Sequence, residues 1–446
     1  MQEKRLKNKK FIFSTSYFWI IAISLIVIFF ILFTIIPIEF KFSVNDRTSR
    51  IYFADNISIA HQQLIDKFNR EHKGEIEVVP VNLPFTKFST NERKELLARS
   101  LRSKSNRIDV FSVDVIWVPR FARWCEPIDD YFSDTETDCI IKYILKSCFW
   151  DSSLYAIPHY MDIGLMYYRS DLIKKLPDAT QIERRLQESI TWEEFIKLGR
   201  RFSGSDNPFY LYAADNFEGL ICSYVEGLAN LGLNIFQGDS LQLNSPGSRK
   251  VVQLLADLVH RYKLTPAIVT KYDEYECYLH AFENDAIFFR GWPGFLRHYK
   301  DKFAIEKTRH IRKAPLPHFS GGKPAYIFGG WNLMVSRFST QKEEAVKFIK
   351  FLLREENQKL FYETGGYLPV VQSVYDDSLF CENEPDLKFY RNLLENGIHR
   401  PYLVEYTKIS DIISYYIHLA IQKEMPVSEA LQKASALVNT NYVLIK

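Results

Sequence analysis

The chain lacks the signatures that mark most enzymes. It contains no G-x-S-x-G nucleophile turn, no H-E-x-x-H zinc helix, no phosphate loop and no G-x-G-x-x-G. Those absences exclude several large classes of hydrolase, nucleotidase and dehydrogenase. Its six cysteines (Cys125, Cys139, Cys148, Cys222, Cys277 and Cys381) form no C-x-x-C pair, and none lies near a histidine at zinc-finger spacing. With the ten histidines scattered as well, no metal and no cofactor is expected. No repeat or low-complexity tract interrupts the sequence.

Charge of one sign is scarce too. The chain carries 57 Lys and Arg against 54 Asp and Glu. Five of those bases (Lys4, Arg5, Lys7, Lys9 and Lys10) fall in the first ten residues, so the rest holds 52 basic and 53 acidic side chains. A neutral body gives no electrostatic reason to expect nucleic acid as a partner. Between Lys10 and Glu39 there is no charge at all, and Tyr17 to Ile38 is almost wholly apolar. About 20 such residues span a bilayer. A cleaved secretory signal has a shorter core, about 7–15 residues, followed by small residues. Here the exit is Pro37-Ile38-Glu39-Phe40, with neither small-x-small nor a cysteine. The expected order is a cytoplasmic tail 1–10, a transmembrane signal-anchor 11–40 and a spacer 41–50, with the remainder exported to the periplasm or cell exterior. A long signal peptide cut at a poor site is the alternative. Export permits disulfides, and Cys125, Cys139 and Cys148 are near enough for one pair; buried free thiols are the other reading.

What is present is an α/β pattern. The length of 446 residues suits two or more compact units. Ile51-Tyr52-Phe53 and Ile76 to Val81 read as strands. Ala60, Leu64 and Phe68 mark one helix face, and Ser89 with Glu92 caps another helix carrying Leu96, Leu97 and Leu101. A strand over 108–117 follows. This βαβα order predicts a largely parallel sheet covered by helices. A second series starts near Ile163. Thr191 with Glu194 and Thr340 with Glu343 predict helix starts, 217–231 and 248–262 read as long helices, and 311–322 reads as loop. Tyr326 to Ser336 predicts a strand broken at Gly329-Gly330, and 386–440 reads as helical.

The stretch Asp109-Val110-Phe111-Ser112-Val113-Asp114-Val115-Ile116-Trp117 puts two carboxylates in an apolar strand. An unpaired buried charge is costly, and in α/β proteins small polar ligands bind where strands end. Asp109 at the start reads as structural, and Asp114 near the far end as a ligand contact. Polar and aromatic residues also meet at element ends: His159-Tyr160-Met161-Asp162, Gly291-Trp292-Pro293 and Gly329-Gly330-Trp331-Asn332. Sugars offer apolar CH faces for rings and hydroxyls for carboxylates, amides and guanidinium groups, and binding pockets combine such walls with a few placed polar groups.

At these residues the chain resembles the family 1 extracellular solute-binding proteins, the sugar-binding subunits of ABC importers, in their trehalose/maltose-type branch. The resemblance covers about 50–440 and is carried by Asp109 to Pro119, Glu126-Pro127-Ile128-Asp129-Asp130-Tyr131, Tyr155-Ala156-Ile157-Pro158, Gly164 to Leu172, Thr191-Trp192-Glu193-Glu194, Phe217-Glu218-Gly219-Leu220, Trp292-Pro293, Gly329-Gly330-Trp331, Gly366-Tyr367-Leu368-Pro369 and Arg400-Pro401. It implies a two-lobed periplasmic-binding-protein-like fold of type II behind the N-terminal transmembrane helix. One lobe would take 51–160 plus 313–357, the other 161–312 plus 358–446, with chain crossings near 158–164, 311–315 and 355–360. The implied ligand residues are Asp114 as hydroxyl acceptor, Arg93 on the preceding helix, Tyr160 and Asp162 on a crossing segment, Trp292 as the stacking ring, Gly329, Gly330 and Trp331 along the cleft, and Arg400, with Glu218 a further candidate. The resemblance implies a non-enzyme that captures a di- or oligosaccharide and hands it to a permease. A tethered sensor reporting to a membrane kinase or receptor is the second reading, and a glycoside hydrolase the third. Two departures stand out: the anchor, and Arg123-Trp124-Cys125-Glu126 where small residues are usual.

Overall fold

The structure is a computed structural model that describes residues 48–443, except 86, 89, 203, 205, 238, 239, 242, 300 and 301. The expected tail and anchor, and the spacer up to 47, lie outside the described residues. Among the described residues no helix is long and apolar enough to cross a membrane.

The first half follows the expected alternation. Strand β1 (Ser49–Asp55) is followed by helix α1 (Ile59–Glu71), β2 (Ile76–Asn82), α2 (Thr90–Arg102) and β3 (Val110–Asp114). β1 lies between β2 and β3 and is parallel to both. α1 starts where the Ser58 hydroxyl accepts the His61 N–H. It buries Ala60, Leu64 and Phe68, the helical stripe read from the sequence, and with them His61 and Ile65. A fully buried side chain of Phe68's size is worth about 1.5–3 kcal/mol. The expected cap at Ser89 lies outside the described residues.

The strand expected over 108–117 is shorter. It stops at Asp114 because the Asp114 carboxylate takes the Ile116 N–H at 3.1 Å and turns the chain into a 3-10 turn, Val115–Trp117. Asp109 is absorbed by the fold: its Oδ2 accepts the Tyr52 N–H (2.8 Å) and its Oδ1 the Ser339 hydroxyl (2.6 Å).

Strand β4 (Ile157–Ile163) belongs to the first sheet, and β5 (Leu165–Arg169) to the second. The chain passes between sheets at Gly164, where a Cβ would collide with the Glu226 carboxylate. The second sheet has β5 at its centre. It pairs antiparallel with β7 (Phe288–Gly291) and β8 (Ile311–Ala314), while β6 (Tyr210–Leu211) runs parallel to β7. The helices on this side are α3 (Trp192–Gly199), opened by the expected Thr191–Glu194 capping box, α4 (Glu218–Asn230), α5 (Pro246–His260) and α6 (Glu274–Glu283). β8 falls inside the segment read as loop. Its two central residues, Arg312 and Lys313, are not buried, so no apolar run announced it.

β9 (Tyr326–Val335) returns to the first sheet and is buried along its whole length. It pairs antiparallel with β3 and β4, and its first two residues pair with β10 (Gly397–Ile398). Gly329-Gly330 does not break it; the irregularity is a register shift between Trp331 and Asn332. Helices α7 (Lys342–Leu352), α8 (Glu355–Gly365), α9 (Tyr406–Ile421) and α10 (Val427–Val443) follow, with three shorter helices between α8 and α9. α7 has Gln341, not Thr340, at its N-cap. The turn before it is held by the Ser339 hydroxyl, which accepts the Gln341 N–H at 3.0 Å. All six cysteines are free thiols.

Candidate functional site

The carboxyl ends of β3 and β4, the middle of β9, the turn after β7 and the amino ends of α4 and α6 converge on one cavity of about 280 Å³. Nine of the ten residues singled out from the sequence line it: Asp114, Tyr160, Asp162, Glu218, Trp292, Gly329, Gly330, Trp331 and Arg400. They come from segments up to 286 residues apart in the chain. β9 reaches the cavity because Gly330 adopts φ +124°. A Cβ there would lie 2.5 Å from the Tyr160 carbonyl oxygen, so only glycine lets β9 and β4 approach so closely.

Arg400 organises the polar side. Its guanidinium is buried and forks between two carboxylates, with Nη2 3.0 Å from Asp114 Oδ1 and Nη1 2.8 Å from Glu218 Oε1. Tyr406 donates its hydroxyl to the same Glu218 oxygen at 2.7 Å. Burial raises the Glu218 carboxyl above its usual range, and Arg400 and Tyr406 pull against that. Asp114 therefore does more than face the ligand: it caps a turn and closes an ion pair. Asp162 has no hydrogen-bond or ion-pair partner among the described residues. Burial pushes its carboxyl well above the usual carboxylate range, and the charge of Asp114 adds to the rise.

Trp292 is held through its backbone. Its N–H donates to the Tyr278 hydroxyl (3.1 Å), and its carbonyl accepts the Tyr167 hydroxyl (2.8 Å). The indole N–H reaches Glu274 Oε1 at 3.3 Å, and Arg290 lies 4.6 Å from the ring centroid. Arg290 is fixed by a bidentate pair with Glu226 (2.9 and 3.0 Å), both side chains buried. Glu226 also accepts the Ile327 N–H at 3.2 Å. One carboxylate thus ties α4 to β9, to the Gly164 crossing and to the support of Trp292.

Arg93 does not line the cavity. It is fully buried behind the wall, its guanidinium 4.2 Å from the ring centroids of both Phe85 and Trp331, with Nη2 3.0 Å from Asp55 Oδ1. It holds Trp331 in place and neutralises Asp55. Around Asp55 stand His61 and His159, with Nε2 atoms 3.4 and 3.9 Å from Oδ2. These three are the one group of metal-ligand type found among the described residues. Arg93 already balances the Asp55 charge, and burial lowers the His159 pKa to about 3. A dication would leave an uncompensated double charge in apolar surroundings, so the cluster is an internal ion pair beside imidazoles.

Sequence reasoning missed the aromatic wall made by Tyr275 and Tyr278 on α6, Phe295 and Tyr299 in the segment after β7, and Phe217 before α4. A signal was available. Asp273 and Glu276 form a capping box, which fixes a helix start and puts Glu274, Tyr275 and Tyr278 in its first turns.

Residues 54–359 match the family model described as bacterial extracellular solute-binding protein. A probable ABC transporter-binding protein of Deinococcus radiodurans is 26% identical over 349 residues, 77% of this chain and 82% of the relative. Among solved structures, maltose-bound MalE3 of T. maritima superposes with a TM-score of 0.78 at 26% identity, covering 88% of this chain and 100% of that one. A solute-binding protein of Agrobacterium vitis S4 with bound D-mannitol gives a TM-score of 0.71 at 19% identity, covering 89% of this chain and 99% of that one. The chain belongs to the bacterial extracellular solute-binding protein family and has its two-lobed α/β fold.

Proposed function

We propose that this solute-binding protein captures a carbohydrate of about disaccharide size in the cavity and delivers it to the permease of an ABC importer, without chemistry of its own. The observation that carries the reading is the cavity itself: aromatic rings on its walls and carboxylates and one guanidinium at its edges, the combination that polyhydroxylated rings require. Its volume of about 280 Å³ lies just below the usual span of ligand pockets, about 300–1,000 Å³, and favours one or two sugar rings over a longer chain. The maltose and D-mannitol named for the two structural relatives point the same way.

In this reading the two sheets are the cores of two lobes that close on the ligand, and the strands favour crossings at Gly164 and after Ala314 over the expected boundaries at 160/161 and 312/313. The packing of α8 on α1, with Phe361 and His61 4.8 Å apart, favours moving the last boundary beyond 365. Ligand would shift the population toward the closed form by binding it more tightly. Residues 11–40 would anchor the body to the outer face of the cytoplasmic membrane and keep its effective concentration near the permease high. Titration calorimetry with a panel of disaccharides and polyols tests the proposal; a folded protein that binds none of them ends it.

A further inference from the structure

We propose that the ligand is a carbohydrate carrying a protonated amine, received by Asp162 beside Trp292; this rests on the carbohydrate reading above. Charge bookkeeping around the cavity supports it. Each arginine at or behind the wall already has its carboxylate: Arg400 has Asp114 and Glu218, Arg290 has Glu226, and Arg93 has Asp55. The lining also holds Asp162, Asp273 and Glu274, and Arg400 is its one arginine or lysine among the described residues. Asp162 has no partner among the described residues, and Glu274 has the indole N–H of Trp292 but no ion pair. The amino ends of α4 and α6 each add about half a positive charge, which still leaves the lining acidic.

A neutral hydroxyl could approach Asp162, but an ammonium adds the opposite charge to that bond and offsets the repulsion from Asp114. The walls suit a cation as well. Gly329 is flanked at close range by Asp162 and by the Trp292 ring, since a Cβ on it would lie 3.1 Å from an atom of each. Tyr275 and Tyr299, with ring centroids 4.9 Å apart, stand on the same cavity. Indole and phenol faces attract cations, and more strongly when water is excluded. The raised pKa of Asp162 fits a carboxyl that lacks its counter-ion.

The test is calorimetric titration of the full-length protein near neutral pH with a glucosamine disaccharide, its N-acetylated counterpart, maltose, D-mannitol and spermidine. The amine-bearing sugar should bind at least about tenfold tighter than its N-acetylated form and than maltose. Asp162→Asn should reduce that preference to within about threefold, with Glu274→Gln as a second variant and a melting scan to confirm folding. Equal or tighter binding of a neutral sugar or polyol overturns the inference and leaves the carbohydrate reading standing. Binding of spermidine alone, or of none of the five, overturns both. The first comparison needs no variant, so misfolding of Asp162→Asn cannot rescue the idea.

Discussion

Replacing Glu226 by glutamine removes one charge from a buried, bidentate pair and leaves the other in place. The Arg290 guanidinium is 4% exposed and has its two contacts to Glu226 at 2.9 and 3.0 Å. Breaking such a pair from one side costs about 3–5 kcal/mol, because the remaining ion is buried without a partner. Unfolding entropy near 60 °C is about 2.1 cal/mol/K per residue, or about 0.8 kcal/mol/K for about 400 residues, so the melting point should fall by about 4–6 °C. Ligand affinity should fall as well, since Arg290 lies against Trp292 and Glu226 meets the Gly164 crossing and β9. The double variant Glu226→Leu with Arg290→Met removes both charges and should regain most of the stability, while affinity stays low because Trp292 has lost its backing. Differential scanning calorimetry and ligand titration on Glu226→Gln, the double variant and its two component single variants read both effects. A melting shift below about 1 °C for Glu226→Gln, or a double variant no more stable than the sum of the singles, would refute the claim that the pair is dry and coupled.

Gly330→Ala should destabilise by several kcal/mol or abolish soluble expression, because its Cβ meets the Tyr160 backbone; Gly321→Ala, at φ +77° with nothing within 4 Å, should cost only about 1 kcal/mol of backbone strain in a denaturant titration. Trp292→Ala should weaken ligand binding at least about tenfold with a smaller change in melting point, since backbone groups hold its turn; equal loss of both would make the ring structural. His159 has a folded pKa of about 3 against about 6.5 unfolded, so the unfolded chain takes up a proton that the folded chain refuses. Stability should therefore fall as pH drops from about 6.5 toward 3, and His159→Phe should flatten that slope in pH-dependent melts. Asp55, whose carboxyl is depressed by His61 and Arg93 against the effect of burial, adds loss only below its unfolded value of about 3.9. Asp114→Ala should lower ligand affinity and also melting point, because Arg400 keeps Glu218 but loses a buried partner; an unchanged melting point would show the ion pair to be dispensable.

The last of these departs from what the sequence alone suggests. Asp114 reads there as a ligand contact, in contrast to the structural Asp109. Its bond to Arg400 spans 286 residues, and no local pattern announces it. Arg93 shows the same limit. On a helix otherwise rich in polar residues it has the look of a solvated or ligand-facing side chain, yet it is buried between Phe85 and Trp331 because Asp55, at the end of another strand, supplies its counter-charge. The strand over 311–314 escaped notice for a related reason: an edge strand with charged residues outward has no period of its own.

The sequence by itself determined the alternation of strands and helices in the first half, several helix starts, and the set of polar and aromatic segments that meet at the cavity. Periodicity and capping act over a few residues, and a chain records them directly. The tertiary structure decided which carboxylates are already paired, which arginine stands behind the wall and which acid is left open. Those outcomes depend on burial and on distances between segments hundreds of residues apart, and desolvation makes a charge seek its partner only once packing has excluded the water.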